Sequence, residues 1–294
     1  MVERSSRLAG GTNKGVYRLI LDDGSSVLAY RWSDGEDFWP ASFYDGGPFA
    51  VDRANGHTLF TKAHARLDAL GVRVPHMFYD DGHDTVIVED LTGGTLETLL
   101  DNDPDAGSAA LDDLRQLLDR MHASTSNGIG HSGDDFDGLT CEAFAIERGR
   151  ACLAEAARRV PRVAAAHAAL DRVLRSRAEQ ITPRSTHRLI HGELGPDHVM
   201  IDDSGKPVLI DIEGITYFDV EWEHAFLELR FGNNYKRLRQ EGLDPQRLAL
   251  YRLVHYLSLA AGPLILLDGD FPHRALMQNI SDANIDRALA TLQT

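Results

Sequence analysis

The run His191-Gly192-Glu193-Leu194-Gly195-Pro196-Asp197-His198, followed by Val208-Leu209-Ile210-Asp211-Ile212-Glu213, decides how this chain is read. The stretch His187–Ile190 ahead of it reads as a strand, and the glycines and proline that follow read as a loop. That loop presents a carboxylate at Glu193 and a candidate metal ligand, His198, five residues later. Val199–Ile201 and Pro207–Ile212 pair about the turn Asp202-Asp203-Ser204-Gly205, so the hairpin delivers a second carboxylate, Asp211, at the end of an apolar strand. Phosphoryl transfer to a hydroxyl needs this layout: one carboxylate to accept the proton and two further ligands to hold a divalent cation on phosphates.

Upstream, Val16–Leu21 and Ser26–Trp32 are strands joined by the turn Asp22-Asp23-Gly24-Ser25, with Gly10-Gly11 just ahead of them. Ala54–Leu70 has helical spacing, with Leu59, Phe60, Ala63, Leu67 and Leu70 on one face and Gly71 as a stop. Pro75–Tyr79 and Thr85–Glu89 flank Asp80-Asp81-Gly82 as two more strands. Residues 1–91 therefore read as a small β-rich lobe with one helix, and residues 92–294 as a larger helical lobe that holds the loop. Within the latter, Ser108–Thr125, Phe144–Ala157 and Arg162–Ile181 are predicted helices, and helices resume from Trp222. The fold class is α+β with two lobes.

Two lobes suit a length of 294 residues at roughly 150 per domain. Acidic residues outnumber basic ones 45 to 30, for a net charge of −15. That balance argues against a nucleic-acid or membrane partner and suits a cationic one; the plain reading is a cytoplasmic surface. The only cysteines, Cys141 and Cys152, have ten residues between them and no close Cys/His ligand pattern, which excludes a disulfide framework. The apolar stretch Leu257–Leu267, broken by Gly262-Pro263, is too short to span a bilayer. Asp101-Asn102-Asp103-Pro104-Asp105 mimics a calcium loop but has Ala106 where the sharp turn needs glycine. His187, His191, His198 and Asp211 fit no familiar zinc spacing.

The loop and hairpin resemble the aminoglycoside phosphotransferase and choline kinase-like family, whose pattern is H-G-D-x-x-x-x-N followed by an apolar strand ending in I-D. The resemblance continues through Gly10-Gly11-Thr12-Asn13-Lys14, similar to the phosphate-covering hairpin, and Leu28-Ala29-Tyr30-Arg31, similar to V-A-I-K with arginine for lysine. Ile87-Val88-Glu89-Asp90-Leu91 looks like the hinge that binds the adenine edge, and Leu118–Ala123 like the helix behind the catalytic loop. The resemblance implies a protein-kinase-like fold and an ATP- or GTP-dependent, Mg2+-requiring phosphotransferase acting on a small-molecule hydroxyl of an antibiotic, amino sugar or amino alcohol. It assigns Glu193 as proton acceptor with His191 ordering the loop, and His198, Asp211 and Glu213 to the metal. It assigns Gly10, Gly11, Thr12, Asn13, Lys14 and Arg31 to phosphates, and Glu89 and Leu91 to the base. Asp134, Asp135, Asp137 and Glu223 are candidate lining for a cationic acceptor, with solvated-loop and helix-start roles as alternatives.

Three departures stand out: Glu193 for aspartate, His198 for asparagine and Arg31 for lysine. Arg31 is either a phosphate contact or an exposed strand residue, and Lys14 either supplies the missing charge or is a solvated turn lysine. The predicted lobe helix contains no glutamate to pair with either. The alternative function is a pseudokinase-like binding module with little turnover. The aromatics Trp32, Phe38, Trp39, Phe43 and Tyr44, set among acids, are expected to cover the small lobe or the cleft.

Overall fold

The computed structural model describes residues 1–40, 56–133 and 138–293. The N-terminal part is a five-stranded antiparallel sheet of β1 (Val2–Arg7), β2 (Gly15–Leu21), β3 (Ser26–Arg31), β4 (Met77–Asp80) and β5 (Thr85–Glu89), in the order β1-β2-β3-β5-β4. Helix α1 (Gly56–Ala69) lies on it, burying Phe60, Ala63 and Leu67. Strand β1, Val-Glu-Arg-Ser-Ser-Arg, is exposed throughout and lacks the alternation expected of a strand. It forms because its backbone pairs with β2, and its polar residues suit a sheet edge.

The remainder is mostly helical. Thr95 caps the short α2 (Leu96–Asn102), and Asp103 caps α3 (Pro104–His122) by accepting from Ala106 N at 3.1 Å. The acidic run at residues 101–105 is thus the junction of two helices, with Pro104 in the first turn where its missing N–H costs nothing. A two-residue strand β6 (Thr125–Ser126) follows, then α4 (Cys141–Arg159) and α5 (Pro161–Glu179). Next come β7 (His187–Ile190), β8 (Val199–Ile201), β9 (Pro207–Leu209) and β10 (Thr216–Phe218). Helices α6 (Val220–Phe231), α7 (Tyr235–Leu238), α8 (Pro245–Leu266) and α9 (Arg274–Ala290) complete the chain.

Helix α8 is long and apolar enough to cross a membrane by length and composition, which the shorter stretch expected from the sequence did not suggest. Here its apolar positions are buried: Leu250, Leu253, Val254, Leu257 and Ala261 lie in one core with residues of α4, α5 and α6. A second core runs from Tyr30, Phe60 and Val86 of the sheet region through Leu111, Leu114 and Leu118 of α3 to Leu194, Leu209 and Ile212. The residues flanking the loop and hairpin are therefore rooted in close-packed core, which holds their polar neighbours in place.

Candidate active site

Between β1 and β2 the chain folds back on itself at Gly10 and Gly11, whose φ values are 99° and 76°. A Cβ on Gly11 would lie 2.5 Å from the Lys14 carbonyl oxygen, so only glycine fits this hairpin. The fold-back turns Lys14 inward, where it is 5% exposed and no solvated turn lysine. Its ammonium donates to Asp211 Oδ1 at 2.9 Å and, in a shorter contact, to Glu213 Oε1. Burial alone would lower the lysine pKa, but the charges of Asp211 and Glu213 outweigh it and hold the group protonated.

Arg31 does not reach this site. Side chains alternate along β3, and it is Tyr30 that faces inward, packing edge-on against Phe60 of α1 at 5.5 Å. Lys14 Nζ sits 5.1 Å from the Tyr30 ring centre, in cation–π range. Arg31 points the other way, is exposed, and has its Nε 3.8 Å from Asp84. The ion pair sought between β3 and α1 is made instead between the glycine hairpin and the turn after β9. Lys14 is its cation and Glu213 one of its anions.

Asp211 is the one non-glycine residue with positive φ among the described residues (φ 59°, ψ 45°). Such a backbone is uncommon outside glycine, although aspartate tolerates it better than most. It aims the half-exposed carboxylate at Lys14, whose charge holds the Asp211 carboxyl well below the ordinary range. Glu213 is shifted upward, first by burial and also by the neighbouring Asp211 charge, with Lys14 opposing. Glu213 Oε2 is buried with no hydrogen-bond partner among the described residues.

His198 lies across from these acids. Its Nδ1–H donates to the Glu193 carbonyl oxygen at 2.9 Å, and its Nε2 faces Asp211 Oδ2 at 3.8 Å. A histidine held this way is set up as a ligand or as an acceptor for an incoming donor. Asp197, which the sequence reading passed over, is held by Arg230 Nη2 at 2.7 Å and stands 3.9 Å from the same Nε2. Glu193 itself is exposed at the head of the loop. His191 is buried, bonds the Ile210 carbonyl oxygen through Nε2 at 3.0 Å, and is kept neutral by burial.

Glu223 is fully buried beneath the loop, so it lines no acceptor surface. Its Oε1 accepts from His191 N at 3.0 Å and Gly192 N at 3.3 Å, and its Oε2 meets His122 Nε2 of α3 at 2.6 Å. It anchors the loop from below. Asp134, Asp135 and Asp137 lie outside the described residues, as do Phe43 and Tyr44.

On the base side, the Glu89 carboxylate is tied by Arg73 at 2.7 and 2.8 Å and by His76 N at 3.0 Å. The buried Leu91 has an N–H with no partner among the described residues. At the front, Phe38 N donates to Thr12 O at 2.8 Å while the Phe38 ring packs on Phe271 at 5.2 Å. A cleft of about 320 Å³ remains there, lined by Arg7, Gly10, Gly11, Phe38, Phe271 and His273. Asn13 is exposed at the hairpin tip.

The profile of the phosphotransferase enzyme family matches residues 16–261. The chain belongs to that family. No curated protein matches the sequence. Among solved structures, this phosphotransferase is similar to the choline kinase LicA from Streptococcus pneumoniae, with TM-score 0.65 and 14% identity over 100% of this chain and 94% of that one. It is similar to the spectinomycin phosphotransferase APH(9)-Ia in complex with ADP and spectinomycin, with TM-score 0.64 and 12% identity over 100% and 94%. It is also similar to a thermostable mutant of the aminoglycoside phosphotransferase APH(4)-Ia in ternary complex with AMP-PNP and hygromycin B, with TM-score 0.63 and 17% identity over 97% and 94%. These likenesses establish the two-lobed, protein-kinase-like fold. The family membership makes the chain a phosphotransferase.

Proposed function

We propose that this phosphotransferase transfers the γ-phosphoryl group of ATP or GTP, with Mg2+, to a hydroxyl of a small cationic molecule of the aminoglycoside, amino-sugar or amino-alcohol class. The observation that carries this reading is the Lys14 ammonium bridging Asp211 and Glu213 directly beneath the glycine hairpin. Two carboxylates share one cation, and Glu213 Oε2 has no partner among the described residues, so the cluster has capacity for a further cation. Mg2+, which prefers oxygen ligands, fits Asp211 and Glu213 better than it fits His198, and when bound it would screen the charge on the phosphates.

In this reading the glycine hairpin lays backbone N–H groups along the phosphates, and Lys14 shifts toward them as a compact, buried positive charge. The Leu91 N–H meets the base edge. Glu193, exposed to the cleft, accepts the acceptor hydroxyl's proton as the new O–P bond forms and the nucleoside diphosphate leaves. His191 and Glu223 keep the loop at the geometry that reaction needs, since a displacement of roughly 1 Å can cost on the order of a hundredfold in rate. The net charge of −15 favours a cationic acceptor.

Coupled measurement of ADP or GDP release over a panel of aminoglycosides, amino sugars and amino alcohols tests the reading. Acceptor-dependent release is expected, with Glu193→Gln losing about a hundredfold or more in kcat while nucleotide affinity is kept. An unchanged rate in Glu193→Gln would remove it as the base. Nucleotide binding without release on any acceptor would favour the pseudokinase-like module.

A further inference from the structure

A second polar cluster lies inside the helical lobe, away from the glycine hairpin. Cys141 opens α4, His187 opens β7 and Asp219 is the N-cap residue of α6; all three are buried. Cys141 Sγ is 3.4 Å from His187 Nδ1, and the same Nδ1 is 3.6 Å from Asp219 Oδ1. All three ligand atoms lie within 4.8 Å of one another. Bond lengths of about 2.0–2.3 Å place the corners of a tetrahedral zinc site roughly 3.3–3.6 Å apart, so two of the edges already have the required length.

The orientation of Asp219 points the same way. Its Oδ2 is taken by Arg247 and by the Tyr251 hydroxyl, both buried. Its Oδ1 faces the cysteine and histidine and has no hydrogen-bond partner within 3.5 Å among the described residues; His187 Nδ1 stands at 3.6 Å and Arg184 Nη1 at 3.8 Å. Burial and the Asp219 charge push the Cys141 thiol well above its ordinary range, and the Asp219 backbone N–H, donating toward the sulfur, opposes them only in part, so the thiolate would need a bound cation. A buried carboxylate oxygen without a donor is rare and calls for an explanation.

We propose that Cys141, His187 and Asp219 form a structural site for a borderline-soft divalent cation of the zinc type. A thiolate, a neutral imidazole and a carboxylate are the donor set such an ion takes. The fourth position is left to water, since no other Cys, His, Asp or Glu among the described residues joins the three within that range. The ion would pin the start of β7, which runs into His191, to the start of α6, which carries Glu223. The sequence conceals this site because its ligands are separated by 45 and 31 intervening residues.

Cobalt titration of the chelator-treated full-length protein, refolded with Co2+ where the closed core blocks entry, tests it. One Co2+ per chain is expected, with a sulfur-to-cobalt charge-transfer band that Zn2+ displaces and a rise in Tm on adding Zn2+. The chain has two cysteines, and Cys152 lies elsewhere, against Ser258. Cys152→Ala should keep the band and Cys141→Ala should lose it. If Cys141→Ala does not fold, wild type and Cys152→Ala decide between them. Absence of the band from both, or its loss in Cys152→Ala alone, overturns the site.

Discussion

Two clusters of charge meet the His191–His198 loop from opposite sides, and they are built on opposite principles. Above the loop, Asp211 and Glu213 share the single ammonium of Lys14, and one buried glutamate oxygen has no partner among the described residues. Below it, Glu223 has both oxygens filled, one by two loop N–H groups and the other by His122. The lower cluster is saturated and can only hold. The upper one sets two carboxylates against one ammonium, and burial together with that imbalance raises the Glu213 pKa. The difference separates a carboxylate whose oxygens are both occupied from a pair that shares one cation, although both groups are acids on neighbouring stretches of one chain.

Disturbing the upper cluster is expected to have the largest effect on turnover. Asp211→Asn should lower kcat/KM by on the order of a hundred- to a thousandfold while leaving Tm within a few degrees, as read from initial rates and a thermal melt. A similar loss of Tm and rate together would mean that Asp211 is structural. Disturbing the lower cluster should reverse that pattern. Glu223→Ala removes one partner of a fully buried pair and should cost about 3–5 kcal/mol in stability by denaturant titration, with activity falling as the loop loses its anchor. Full stability in that variant would show that the loop does not depend on Glu223.

Acid should act first on buried groups of the helical lobe. Burial lowers the His224 pKa to about 4 and the His255 pKa to about 3, from an ordinary value near 6.5. The unfolded chain therefore binds protons that the folded chain refuses between about pH 6.5 and 4. Stability is complete above that window and falls as pH drops through it, by a few kcal/mol in total. His255→Gln should flatten the acid limb of a Tm-against-pH curve, whereas a curve flat from pH 7 to 4 would contradict the burial argument. The smallest effect belongs to Arg31→Ala, which should change the KM for nucleotide less than about threefold because the side chain is an exposed one paired loosely across the sheet.

Much of this was legible in the chain. The spacing of Glu193, His198 and Asp211 marked the loop and hairpin, and strands β2, β3 and β5 read clearly because their apolar runs end at strong turn signals. Strand β1 did not, because an exposed edge strand needs no apolar pattern. Helix α2 was hidden by its shortness and by the acidic run that turned out to cap its neighbour. In the site, the missing step was the exchange of cations. A motif alignment puts arginine at the lysine position and leaves Lys14 open between the missing charge and a solvated turn; the pleat turns Tyr30 inward, and the fold-back at Gly10-Gly11 brings Lys14 to Asp211 and Glu213. The pairing of Glu213 with Lys14 spans 199 residues of chain and has no local signature. The same holds for Glu223, whose partners come from the loop and from α3.

The central claim is that Lys14, not Arg31, is the cation of the nucleotide site. Calorimetric titration of ATP and GTP with Mg2+ into wild type, Lys14→Ala and Arg31→Ala tests it most directly. Metal-dependent binding is expected in wild type and Arg31→Ala, with Lys14→Ala weakened by about tenfold or more, on the order of 1.4 kcal/mol. Unchanged affinity in Lys14→Ala together with a loss in Arg31→Ala would contradict the account.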